Sequence, residues 1–505
     1  MKEARHLQNT RSVACILLVL GVTTGCEHLL PLDSRPCPCA AGYTCDEAHD
    51  TCVLHLSIDD PAIDMLEYDS DGVLPNELSV PDATGALTTV SSLSQIDLAN
   101  PFFRDLGTNG RRCVTCHLPT AGWSLTPDQL RRVFDATAGG QVADPLGLAA
   151  VFRPVDGANS PDADVSTLDK RRTAYSMLLT RGVIRVGLPM PPVSEFVLAD
   201  VDDPYGHAGA ADLSLFRRPL PTTNLRLLST IMWDGREVSA GKTLSELLQQ
   251  QASDANVMYA QGDPLDAPTA AAIVELALTL HTAQSRDTDL GPLDAAEARG
   301  GPHPLSDQVF YIGINDVFGD SATHAPFTPY VFDLYDAWSA AEDSAPRQAV
   351  ARGQALFNTR TFQVSGVSGL NDEASFGTPT TLTVTCSFCH NAPNAGSHSV
   401  TALFDIGIAS GARRAADLPL YTLRSKLSDE TRQTTDPGRA LITGKWKDIG
   451  RFKVPGLRGL AGRAPYFHNG TATDLTEVVS FYDARFELHL SAQDKSDLVA
   501  FLRVL

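Results

Sequence analysis

The chain has 505 residues, with hydrophobic residues at 43%, charged residues at 20% and a formal net charge of −20. That length exceeds what one hydrophobic core serves, so two or three domains are expected, with the composition of a soluble globular protein. The acidic balance excludes a nucleic-acid partner, which needs clustered Lys and Arg against phosphate, and fits a cationic redox partner or solubility alone.

Residues 1–26 read as an export signal: Lys2, Arg5 and Arg11 precede the apolar run Val13 to Val22 and the small residues around Gly25. Export implies the periplasm or the cell surface. Gly25-Cys26 resembles a lipoprotein cleavage site, so a lipid anchor on Cys26 is the one membrane attachment to expect. In 27–56, Cys37, Cys39, Cys45 and Cys52 form a Cys-rich module. Two disulfides stapling a segment too small for its own core are favoured over zinc, because the compartment is oxidising and no His lies among the four.

Residues 57–98, rich in Asp, Pro, Ser and Thr, read as a lead-in or linker on the surface. Residues 99–300 form a first haem domain, with helices expected around Leu168 to Arg181 and from Pro268 to Gln284, where Ala and Leu recur at helical spacing. Strand patterns are scarce. Gly, Pro and Asp thicken again over 301–345, an interdomain strap, and 346–505 form a second haem domain closing with helices over about Leu475 to Arg485 and Ala492 to Val504. Each domain has the same order of parts, which suggests an internal duplication.

The chemistry is carried by Cys113-Val114-Thr115-Cys116-His117 and Cys386-Ser387-Phe388-Cys389-His390. Two cysteines at this spacing add to both vinyl groups of one haem, and the adjacent His reaches the iron as proximal ligand. Two covalently bound haems c follow. The ligand on the other face decides whether a haem transfers electrons or reacts. The methionines beyond the leader are Met65, Met177, Met190, Met232 and Met258, so a Met ligand from within the second domain is excluded.

Over roughly 99–505 the chain resembles the bacterial diheme cytochrome c peroxidase superfamily, including the diheme oxidases that mature methylamine dehydrogenase. Phe452-Lys453-Val454-Pro455-Gly456-Leu457-Arg458-Gly459 and Ala464-Pro465-Tyr466-Phe467-His468-Asn469-Gly470 carry the likeness in the second domain, Trp233-Asp234-Gly235-Arg236 in the first. The resemblance implies Tyr482 as sixth ligand to the second haem, a hard phenolic donor that favours oxidised iron. It implies Trp233 as a relay between the haems, Gln251 in the distal pocket, and Gln261 where a catalytic Glu is expected. A glutamine does not shuttle protons as a carboxylate does. No distal His is evident, which leaves the first haem open or capped by Tyr259. His468 is expected near a haem edge or propionate. An interdomain calcium is implied on the carbonyls of Arg463 and Pro465, although Arg218 replaces its Asn ligand.

The expectation is therefore a mostly α protein with two cytochrome-c-like haem domains and a small disulfide-rich N-terminal module. Its expected function is a peroxidase-like or oxidase-like oxidoreductase. Peroxide or dioxygen would react at the His117 haem, and electrons would come through the second haem from a small redox protein or a small-molecule donor. The alternatives are a diheme oxygenase and a non-catalytic electron-transfer cytochrome.

Overall fold

The computed structural model describes residues 43–46, 51–54 and 72–505, apart from 143, 145, 146, 240 and 341–343. The export signal, most of the Cys-rich module and residues 57–71 of the lead-in lie outside the described residues. In the unit Met1–Ser57, strands Tyr43–Asp46 and Thr51–Leu54 pair antiparallel with Cys45 opposite Cys52.

In the second unit, Ile58–Leu505, the expectation of a mostly α fold fails: 32% of the described residues are helical and 19% strand. The largest departure lies in the lead-in. Val73–Asp82 and Gly85–Asp97 form a long hairpin, and Gly85–Asp97 also pairs with Leu280–Asp287. The helix expected up to Gln284 stops at Thr279, and the chain continues as that strand. Hydrophobic periodicity misses this sheet because much of its buried face is hydroxyl. Thr88 meets Ser285 at 2.7 Å, Thr89 meets Thr282 at 2.7 Å and Ser91 meets Thr279 at 2.9 Å. Each bond contributes on the order of 1 kcal/mol and satisfies groups that look solvent-bound in sequence. Gly85 is required where the hairpin turns, since a Cβ there would stand 2.1 Å from the Arg286 carbonyl oxygen.

Around the first CxxCH a core gathers Phe102, Trp123, Phe134 and Tyr175. Here the expected helix over 168–181 is broken at Tyr175 into Leu168–Ala174 and Ser176–Arg181. Around the second CxxCH the core gathers Phe332, Tyr335, Trp338, Phe357 and Phe501. The helix Ala345–Thr359 opens this domain, and Leu475–Phe486 and Ala492–Arg503 fall close to their expected places. The strap contributes Tyr335, whose hydroxyl donates to the Val504 carbonyl at 2.7 Å.

The two CxxCH regions are interlocked. Phe196–Asp202 pairs with Leu420–Ser425, which pairs in turn with Thr431–Thr434, so chain from before and after the strap shares one sheet. Beside it, Ile184–Leu188 pairs with Leu213–Arg217 and delivers Arg217 to the region between the motifs.

Candidate active site

Each CxxC forms a single helical turn that ends at its His. Cys113–Cys116 is followed by His117, whose backbone N–H donates to the Cys113 carbonyl at 3.0 Å, and Cys386–Cys389 is followed by His390 in the same way at 3.1 Å. The four thiols are unpaired, and burial pushes them up to about 12, or about 11 for Cys116. Burial thus favours the neutral thiol at both motifs.

His117 Nδ1 lies 3.2 Å from the Trp123 carbonyl oxygen, and His390 Nδ1 lies 2.5 Å from that of Gly396. An Nδ1–H that donates to a carbonyl leaves the Nε2 lone pair for iron, and burial pushing both imidazoles down to about 4 keeps that pair free of a proton. The residues fit a c-type haem at each motif. Trp123 is itself fixed by its indole N–H, which donates to Thr89 Oγ1 at 3.0 Å. The hairpin thus supports the proximal His, a connection that the polar lead-in did not suggest.

A cavity of about 300 Å³ opens beside the first motif, within the size range of ligand pockets. It brings together Cys113, Cys116, His117, Trp233, Gln251, Tyr259, Arg463 and Pro465. Gln251 and Tyr259 reach it from one face of the helix Leu244–Tyr259. Burial raises the Tyr259 phenol, while the nearby charges of Arg236 and Arg217 oppose the rise, so Oη remains a protonated donor.

Gln261 is not in the cavity. The helix ends at Tyr259, Gly262 N–H closes back on the Asn256 carbonyl, and Gln261 takes the left-handed terminal position at φ 55° with an exposed side chain. Its place in the sequence is used to stop a helix, which spacing from Gln251 did not reveal.

Nine cations line the cavity, Lys453 and eight arginines, and no Asp or Glu does. This runs against a chain whose net charge is −20. Some of these cations have carboxylates behind them: Arg111 is paired with Asp156, and Arg217 and Arg236 with Asp234. Lys453 has none among the described residues; its Nζ donates to the Thr230 carbonyl at 2.6 Å, and burial lowers it to about 7. Buried cations facing only carbonyls call for an anion in the cavity, and the two propionates of a haem meet that need. Sequence reasoning missed this lining; its one local sign was the doublets Arg111-Arg112 and Arg217-Arg218.

Arg218 also decides the calcium question. Its guanidinium donates to the carbonyls of Leu125 at 2.7 Å, Arg181 at 2.8 Å and Arg463 at 3.0 Å. The Arg463 carbonyl, an expected calcium ligand, is already held by a cation, and Pro465 simply lines the cavity. The residues do not fit a calcium ion.

Between the motifs, Trp233 donates its indole N–H to the Arg218 carbonyl at 2.8 Å and meets the His468 ring edge-on at 6.2 Å. His468 stacks on Phe452 at 4.0 Å, and Phe452 is opposite Phe404 in a two-residue ladder. Phe404 meets His398 at 5.3 Å, and His398 Nδ1 bonds the Cys389 carbonyl at 2.7 Å. Ring contacts thus run from Trp233 to Phe452 and from Phe404 to His398, joined by the backbone pairing of Phe452 with Phe404. His468 lies behind Trp233 rather than on the cavity wall, and its Nε2 has no hydrogen-bond partner among the described residues. Buried Arg217 anchors the bridge, gripping Asp436 with two bonds at 2.7 and 2.9 Å and Asp234 at 2.5 Å. Tyr482 packs with Cys386 and Cys389 at the second motif, where burial raises its phenol.

No family model matches the chain. Cytochrome-c peroxidase IdrP1 of Pseudomonas sp. (strain SCT) is 30% identical over 191 residues, 34% of this chain and 43% of its own length. Its namesake in Denitromonas iodatirespirans is 30% identical over 204 residues, 36% of this chain and 45% of its own. Methylamine utilization protein MauG of Paracoccus denitrificans is 56% identical over 34 residues, 7% of this chain and 9% of its own. The chain spans less than half the length of these curated relatives. The crystal structure of a MauG-like protein associated with microbial copper homeostasis overlaps at a TM-score of 0.28 and 16% identity, over 59% of this chain and 78% of its own, too slight a likeness to carry an argument.

Proposed function

As a relative of the diheme cytochrome c peroxidase superfamily, this chain, we propose, is an exported diheme c-type oxidoreductase that reduces peroxide or dioxygen in the cavity beside His117. One observation carries the reading: the first CxxCH, Trp233, Gln251 and Tyr259 share a single cavity, and ring contacts and one strand pairing lead from Trp233 to His398, which bonds the second CxxCH. When bound, the haems supply the iron that exchanges electrons.

The chain's own residues supply the rest. His117 and His390 present Nε2 to iron with Nδ1 tied to the backbone. Tyr259 holds a proton at Oη beside Arg236 and takes the part that Gln261, facing solvent, does not play. Gln251 offers an amide for orienting a bound oxygen species, and the cationic walls stabilise negative charge developing on it. Trp233 and His468 connect the halves, and Tyr482, on the helix Leu475–Phe486, would be a further ligand to the second haem. Calcium has no role in this reading. Among the described residues no helix is long and apolar enough to cross a membrane, which accords with export.

The test is the spectrum of the oxidised, haem-loaded protein. We expect a high-spin charge-transfer band and binding of cyanide or carbon monoxide by one haem per chain. Two low-spin haems that ignore both ligands would overturn the enzyme reading in favour of a simple electron carrier. Tyr482 against the second motif favours a MauG-like oxidase as the second reading, and assays with peroxide and with dioxygen separate the two.

A further inference from the structure

His207 stands on the turn between the strands Phe196–Asp202 and Leu213–Arg217, and it does not line the cavity. Its ring meets a carboxylate on each side: Nδ1 lies 2.9 Å from Asp162 Oδ2, and Nε2 lies 2.8 Å from Asp212 Oδ2. A neutral imidazole carries one N–H, so it would present a lone pair to one of these oxygens; only the imidazolium donates to both. The geometry is that of the charged ring.

The two carboxylates belong to different parts of the fold. Asp162 stands in the loop between Leu148–Val151 and Leu168–Ala174, with its side chain 82% exposed. Asp212 opens the strand Leu213–Arg217 and lies across its ladder with Ile184–Leu188, where a Cβ on Gly187 would stand 2.4 Å from Asp212 Oδ1. Asp212 Oδ2 is shared with the buried guanidinium of Arg185, which also donates to Ser214 Oγ and to the Val155 carbonyl, both at 3.0 Å. The turn itself is built on Asp203, whose carboxylate accepts the backbone N–H groups of Tyr205 at 3.0 Å, His207 at 2.8 Å and Ala208 at 2.7 Å. Asp162, Asp203, Asp212 and Arg185 are thus the charged groups around the ring. The same ladder carries Ile184, Val186 and Arg217 to the cavity wall.

We propose that His207 is a pH-operated latch that fastens the loop around Asp162 to the turn 203–212 at the end of this ladder, closed when both ring nitrogens carry protons and loosened when one is lost. Deprotonation removes one N–H, so one of the two bonds breaks and a lone pair is left facing a carboxylate. The hydrogen bond to Asp212, and next that to Asp162, raise the imidazole above its ordinary 6.5, against burial and the charge of Arg185. The folded chain therefore holds this proton more tightly than the unfolded one. The contribution of the latch is full below about pH 6.5 and is lost as pH rises through the higher folded value.

The experiment is hydrogen exchange read by mass spectrometry on the haem-loaded full chain at about pH 5.5 and about pH 8.5, with each rate divided by its intrinsic value. The segments around Asp162 and over 203–212 should be about three-fold less protected at the higher pH, the scale of one exposed ion pair. His207→Gln and, at an exposed position where folding is not at stake, Asp162→Ala should each show the lower protection at both pH values. Wild-type protection that is the same at both pH values overturns the latch. A pH step of undiminished size in His207→Gln overturns it as well, because the titrating group is then another.

Discussion

Replacing Lys453 by Met separates two accounts of the cationic cavity. If no anion faces Nζ, burial moves the amine from its ordinary 10.5 down to about 7. The folded chain then binds this proton less well than the unfolded one, so charged Lys453 is a penalty. At 1.36 kcal/mol per pH unit that penalty is about 5 kcal/mol. It is full below about pH 7, fades as pH rises toward 10.5 and is gone above it. Lys453→Met would then stabilise the protein by about 5 kcal/mol at pH 6 and by little at pH 10. If a haem propionate faces Nζ, the pair is favourable, and the substitution strands a buried carboxylate at a cost of about 3–5 kcal/mol. We expect the second outcome. Urea unfolding of the haem-loaded protein, followed by the Soret band at pH 6 and pH 10, measures it. A Met variant several kcal/mol more stable than wild type at pH 6 would refute the inference that the cavity holds an anion beside Lys453.

Three further outcomes are expected. Asp436→Asn leaves buried Arg217 short of a carboxylate and should lower stability in urea by about 3–5 kcal/mol, with slower electron exchange between the haems because the Trp233 turn loses its anchor. Calcium chelation should change neither the spectrum nor the Tm of the wild type, and Arg218→Asn, which frees the Arg463 carbonyl, should make the Tm respond to added calcium; one tightly bound calcium per wild-type chain by metal analysis would count against the guanidinium in that role. Tyr482→Met should raise the reduction potential of one haem, and an unchanged redox titration would remove Tyr482 from the ligands.

The covalent chemistry was legible because it is local. Two cysteines and a histidine within five residues must share one helical turn, so Cys113 to His117 and Cys386 to His390 specify their geometry wherever the chain places them. The helices Leu475–Phe486 and Ala492–Arg503 were legible for the same reason, through their apolar spacing. Trp233, Gln251 and Tyr259, which the resemblance singled out, line one cavity with the first motif.

What escaped depends on partners far apart in the chain. Thr88, Thr89 and Ser91 look like surface residues until Ser285, Thr282 and Thr279 satisfy their hydroxyls, which is why a sheet was read as a linker. Gln261 took its conformation from the end of a helix rather than from a distal pocket. The charge of the cavity is the clearest case. In sequence its cations are dispersed over an acidic chain, and only folding gathers Lys453, Arg463 and Arg111 around one cavity whose described lining holds no carboxylate. Spacing along the chain determined two CxxCH motifs, each suited to hold a haem; the electrostatic environment beside the first is a sum over residues that only the tertiary structure brings within reach.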